Sequence, residues 1–156
     1  MAMQHTPLLM SNILDRGATV APYEEIVTLT ESGVRRQTYR ETRDRAHQLA
    51  HALAGSGIKV GDRVGTFMWN GSRHLEAYHA VAGMGAVLHT LNVRLSPKDL
   101  EYIINHAEDQ IIIVDADVLP LLEVLNGKIP CVRKVVVATE EGCLLYTSPS
   151  PRDPSI

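Results

Sequence analysis

Cysteine is scarce in this chain: Cys131 and Cys143 are the two in 156 residues. A framework of disulfides is therefore excluded, and the sparse thiols suit a reducing cytoplasm. No sign of charge dominates. Fifteen Lys and Arg against eighteen Asp and Glu leave a net charge of −3, which gives no pull toward nucleic acid or an anionic membrane surface. Long apolar runs are missing too. Ile111–Val114 and Val135–Ala138 are short, far below the roughly 20 residues of a membrane-spanning helix. The opening MAMQHTPLLMSN has neither a basic start nor a long apolar stretch, so it is not a secretory signal. What is present is ordinary for a globular domain: 45% hydrophobic and 21% charged residues.

Patterning along the chain reads as a mixed α/β fold. Leu8 to Val20 places Leu9, Ile13 and Leu14 as the apolar side of a short helix, ended by Pro22 and Tyr23. Ile26–Thr30 and Val34–Thr38 flank the turn Glu31-Ser32-Gly33 and read as a β-hairpin. Thr38 with Glu41 fits a capping box. Thr42, Ala46, Leu49, Ala50 and Leu53 then recur at helical spacing, until Gly55 and Gly57 stop the helix. Gly61-Asp62 turns into a strand over Arg63–Met68. A helix over Ser72–Gly83 follows, with Leu75, Tyr78, His79 and Ala82 along one side, and then a strand over Ala86–Thr90. Ser96-Pro97 opens a helix to about Ala107, with Asp99 in its first turn. Ile111–Val114 is a strand, Asp117 caps a helix to about Leu125, and Lys134–Ala138 is one more strand. From Arg63 the order β-α-β-α-β-α-β predicts a mostly parallel sheet with right-handed crossovers and flanking helices.

Candidate chemistry is thin. Gly83-Met84-Gly85 lies between helix and strand. A dinucleotide fingerprint needs the reverse order, and Leu88 stands where its third glycine belongs. Small residues for close packing explain it better. His47 and His51 are four apart on one helix, but no third and fourth zinc ligands accompany them. His74 and His79 fall on one helix and His89 on the next strand, and their spacing does not bring the three together. His106 near Glu108 reads as a favourable charge at a helix end. Asp115 and Asp117 follow a strand, where open α/β sheets place ligands; capping by Asp117 is the simpler reading. None of the serines sits in a GxSxG elbow. Cys131 has no activating partner in sequence and reads as a filler at a strand edge.

The tail from Cys143 to Asp153, CLLYTSPSPRD, is a case of its own. Back-translated with one choice of codons, it resembles without interruption a transposase adapter ligated onto DNA before short-read sequencing. Genuine coding sequence is then expected to stop near Gly142, leaving residues 143–156 as an artefactual disordered tail.

The segment WNGSRHLEAYHAVAGMGAVLHTLNVRLSPKDLEYIINHAED, Trp69 to Asp109, resembles the N-terminal region of acyl-CoA synthetases of the adenylate-forming AMP-dependent synthetase and ligase superfamily. The likeness is greatest to medium- and long-chain fatty-acid–CoA ligases. QTYRETRDRAHQLAHALAGSGIKVGDRV, Gln37 to Val64, is similar to the superfamily's opening block. The resemblance covers about Leu8 to Ala138 and implies that residues 1–142 are part of the N-terminal domain of a longer enzyme. It implies a parent that uses ATP, Mg²⁺, a fatty acid and coenzyme A: the carboxylate forms an acyl-adenylate, and the thiol then displaces AMP. In the family that work falls to a phosphate loop of the form YTSGTTGxPKG and to later elements, which this chain lacks. Tyr146-Thr147-Ser148 copies the loop's first letters, but Pro149 stands where glycine is needed. No catalytic, cofactor-binding or metal residue is therefore expected. His89 and Asn92 are the nearest to pocket-adjacent, while Gly83, Gly85 and Ala86 read as packing and turn residues. The expected product is an inactive, cytoplasmic ligase fragment. An aryl-CoA ligase, an amino-acid-activating domain and a non-catalytic α/β binding module are the alternatives, with a homo-oligomer left open.

Overall fold

The computed structural model describes residues 7, 9–30 and 32–139 and, as backbone alone, 143–146. An N-terminal helix and hairpin come first: α1 (Met10–Val20), β1 (Glu25–Thr30) and β2 (Gly33–Thr38). Next come α2 (Tyr39–Gly55), β3 (Arg63–Phe67), α3 (Ser72–Gly83), β4 (Val87–Thr90) and α4 (Pro97–Ala107). The chain continues through β5 (Ile111–Asp115), α5 (Leu119–Glu123), β6 (Lys134–Ala138) and β7 (Cys143–Tyr146). The hairpin is a two-stranded sheet by itself, and the main sheet runs in the order β4-β3-β5-β6-β7. Its first four strands are parallel, and β7 alone is antiparallel.

Both faces of that sheet are covered. Phe67, Ile112, Val114, Val135 and Val137 point to one side and pack with Leu100 and Ile104 of α4 and Leu122 of α5. Val64, Ile111 and Ile113 point to the other, with Leu53 of α2 and Ala77 and Val81 of α3. Two-sided burial explains why β5 reads as an unbroken apolar run. A smaller cluster of Leu14, Ala46 and Ala80 holds α1 against α2 and α3.

Several expected signals are present at atomic level. Thr38 accepts from the Glu41 backbone N–H, and the Glu41 carboxylate accepts from Thr38 N–H, which completes the capping box. Ser96 caps α4, with Pro97 at its start and Asp99 in its first turn. Gly57 and Gly61 take positive φ in the turns between α2 and β3.

Four expectations differ. On α1 the buried residues are Leu14 and Ala18, four apart on one face; Leu9 and Ile13, each five residues before one of them, fall off that face and are exposed. Leu8 lies outside the described residues. On α3 the buried side is Ser72, His74, Glu76, Ala77, Ala80 and Val81, and Tyr78 is exposed. That face was invisible to an apolar count because polar partners satisfy it. Gln37 donates to Glu76 at 2.8 Å, and Arg45 donates to both its carboxylate oxygens at 2.6 and 3.1 Å. A buried carboxylate is tolerated only when it is paired in this way. Asp117 does not cap α5, which starts after Val118 with no side-chain cap. Finally, disorder was expected from Cys143 onward, yet Cys143–Tyr146 forms β7 on the open edge of β6. An unpaired strand edge templates such pairing. Residues 140–142 and 147–156 lie outside the described residues.

Candidate functional site

In an open α/β sheet, ligands gather beyond the carboxyl ends of the strands. Here those ends carry a polar cluster. Trp69 follows β3 and is held from two directions by residues of and after β5. Asp115 accepts the Trp69 backbone N–H at 2.8 Å, and Asp117 accepts the indole N–H at 2.7 Å. The indole remains about half exposed. Burial raises the Asp115 carboxyl above its ordinary value; the Trp69 N–H opposes that rise and the neighbouring Asp117 charge adds to it. Beneath lies His74, buried on α3, with Nε2 and the Thr66 hydroxyl of β3 3.0 Å apart. Desolvation holds His74 below its ordinary value. Its Nδ1 completes no hydrogen bond; the Trp69 backbone is near enough to favour the charged ring without bonding it.

Thr28 of the hairpin reaches the same region and accepts from the Ser72 N–H at the start of α3. Hairpin, α3 and strand ends are thus tied into one unit. Among the described residues no group of three or more His, Cys, Asp or Glu could hold a metal. Asp115 and Asp117 are already engaged by Trp69, so the cluster orients an aromatic ring and assembles no nucleophile with a base.

The other sequence candidates scatter. His89 on β4 has Nδ1 2.8 Å from Asp109 Oδ2, and Asp109 is fully buried. Asn92 accepts the Arg94 backbone N–H at 2.9 Å and shapes a turn. Neither lines the shallow cleft of about 120 Å³ between α1, α2 and α3, whose walls include Leu14, Asp15, His47, His79 and Met84. His47 Nε2 is 3.8 Å from Asp15, both exposed, and His51 is exposed as well. His74, His79 and His89 do not converge. His106 stacks on Tyr102 at 5.5 Å in the last turn of α4. Cys131 donates weakly toward the Ile104 carbonyl and Asn105, and burial pushes its thiol up, away from reactivity. Gly85 has φ +82°, and a Cβ there would lie 3.2 Å from Val60. It serves a left-handed turn rather than phosphate. Trp69, Thr66, Gln37, Glu76 and Asp109 were missed by sequence reasoning. The one signal available was Trp69's place directly past a strand.

A doubly wound α/β subdomain with polar strand ends, and no complete catalytic set among the described residues, is the class that fold and site define. The chain belongs to the AMP-binding enzyme family, whose model matches residues 14–154. That match includes Tyr146-Thr147-Ser148 and the stretch that resembles an adapter. A long-chain-fatty-acid–CoA ligase of Thermus thermophilus is 46% identical over 148 residues, covering 92% of this chain and 27% of the relative. A 3-methylmercaptopropionyl-CoA ligase of Ruegeria pomeroyi is 40% identical over 136 residues, 86% of this chain and 25% of the relative. The solved anthranilate CoA ligase AuaEII, in complex with anthranoyl-AMP, superposes with a TM-score of 0.77 at 27% identity, covering 88% of this chain and 27% of that one. The chain thus spans about a quarter of the length of the relatives it matches.

Proposed function

We propose that this chain is the opening part of a fatty-acid–CoA ligase, and that its contribution is scaffold rather than chemistry. The observation that carries the reading is the 46% identity to a long-chain-fatty-acid–CoA ligase over 92% of the chain. The parent would join a fatty acid to coenzyme A through an acyl-adenylate, using ATP and Mg²⁺. The described residues do not fit those groups: they offer no glycine-rich phosphate cradle and no metal-ligating cluster. No step of the reaction is assigned to them. What they do is hold the strand ends, with Trp69 fixed between Asp115 and Asp117 and α3 fixed to the hairpin.

Residues 1–142 form the native portion in this reading, and 143–156 are translated adapter. A cytoplasmic location is part of the same proposal, supported by the free thiol of Cys131. The structural likeness to an anthranilate CoA ligase favours a second reading, an aryl-CoA ligase with the same opening domain. ATP–pyrophosphate exchange tests the scaffold reading. With Mg²⁺ and saturated fatty acids of increasing length, or with anthranilate, the chain should give no exchange above blank. Turnover with any acid would overturn it. Reading the source DNA past the codon of Gly142 tests the boundary, since the native frame should continue into a glycine-rich phosphate loop.

A further inference from the structure

The two edges of the main sheet are built differently. At one edge, β4 has four residues, with Val87 and Thr90 exposed, and it follows the left-handed turn at Gly85. A short strand of this kind is a poor template for further pairing. At the other edge, β6 reads Lys-Val-Val-Val-Ala and pairs without a bulge along β5, from Ile111 with Lys134 to Asp115 with Ala138. Val135 and Val137 pack into one core and Val136 and Ala138 into the other. No charge, proline or bulge interrupts it between Val135 and Ala138. By composition and packing β6 is an interior strand, and an interior strand needs a neighbour on each side.

The neighbour it has is β7, antiparallel, with Val135 opposite Tyr146 and Ala138 opposite Cys143. Among the described residues β7 pairs with no other strand. We infer that the outer edge of β6 is a strand-acceptor surface, and that a second copy of this chain takes it when β7 is displaced. β6 would then pair antiparallel with β6 of the other copy about a two-fold axis through Val136. That register is self-complementary. It sets Lys134 opposite Ala138 and Val135 opposite Val137, so no like charges face each other. It also keeps the antiparallel direction that this edge already accepts. The argument stands on β6 and on the backbone pairing, whatever the origin of β7.

The test displaces β7 within the full-length chain. Neighbouring backbone N–H groups alternate in direction, so Leu144→Pro with Leu145→Pro removes one N–H that faces β6. Sedimentation velocity from micromolar to hundreds of micromolar is the readout. The unmodified chain should stay monomeric, and the double variant should double its weight-average mass. A synthetic peptide of residues 141–148 should return it to monomer. In the dimer, the amides of Val135–Ala138 should be protected from hydrogen exchange. A folded variant that stays monomeric overturns the inference, as does a dimer whose β6 amides exchange freely. Peptide capture without self-association overturns the second copy as occupant. If the double variant loses its far-UV signal, raised protein concentration or added peptide should restore it; no recovery with either overturns the inference.

Discussion

Strand β5 has a carboxylate at each end, one fully buried and one half-buried, and the two meet desolvation in different ways. Asp109 lies just before it and Asp115 at its end, and burial raises both above the ordinary carboxylate value. Asp109 is fully buried and has an imidazole against it, with Arg63 nearby. Asp115 is half-buried; a neutral N–H bonds to it and a second carboxylate stands beside it. The first is a closed pair inside a face of the sheet. The second has Arg73 and His74 near it but no cation bonded to it among the contacts described, at the end where such sheets meet ligands. The two carboxylates thus differ in their partners as well as in their burial.

Breaking the closed pair should have the largest effect. Asp109→Ala leaves the His89 ring nitrogen without its hydrogen-bond partner, and the expected loss is about 2–3 kcal/mol. Urea unfolding should show a lower midpoint with an unchanged slope. Crowding the same pair comes next. A Cβ on Gly65 would lie 3.2 Å from both Asp109 Oδ2 and Ile112 Cγ1, so Gly65→Ala should cost about 1–2 kcal/mol by overpacking.

The open end should respond with the opposite sign. Asp115→Asn can keep an acceptor for the Trp69 N–H and removes a charge that burial disfavours. At pH 7 it should fall within about 0.5 kcal/mol of the unmodified chain or above it. Asp109→Asn also keeps an acceptor for the His89 ring, so it should lose less stability than Asp109→Ala. The pH profile sharpens this. A raised Asp115 contributes stability that is fully present below its ordinary 3.8 and is lost as pH rises through the folded value. Asp115→Asn should reduce that slope and leave the share of Asp109, which is raised as well. His74 and His79 act the other way: both are lowered by burial, so their contribution is present above 6.5 and is lost as pH falls through the folded values. That slope should survive in Asp115→Asn and shrink in His74→Gln. Melting temperature against pH measures both. The smallest effect belongs to Asp117→Ala, about 0.5 kcal/mol for one exposed hydrogen bond. Trp69 is the sole tryptophan, so its fluorescence should shift even where stability barely moves.

How much of this was legible depended on distance along the chain. The Thr38–Glu41 box, the Ser96-Pro97 start and the alternation after Arg63 are local, and each was readable. The side of α3 that faces the protein was not, because Glu76 is buried by Gln37 and Arg45, 39 and 31 residues away. Trp69 and Asp117 are 48 apart, and no periodicity joins them. Capping was the natural reading of Asp117 because a cap needs only its own helix. The site arises from crossovers that bring strand ends together, a property of topology rather than of any window of sequence.

The hairpin also bears on how this molecule could be divided. Its tip is exposed at Gly33 and Val34, while its base is fastened across layers through Thr28 to Ser72 and through Gln37 to Glu76. A protease nick at the tip would leave two polypeptides joined by the β1–β2 pairing, the Thr28–Ser72 bond and the packing of α1 on α2 and α3, while Gln37–Glu76 stays within the larger piece. Such pieces would be candidates for a split reporter, reassembling because the recognition is already distributed on both sides of the cut.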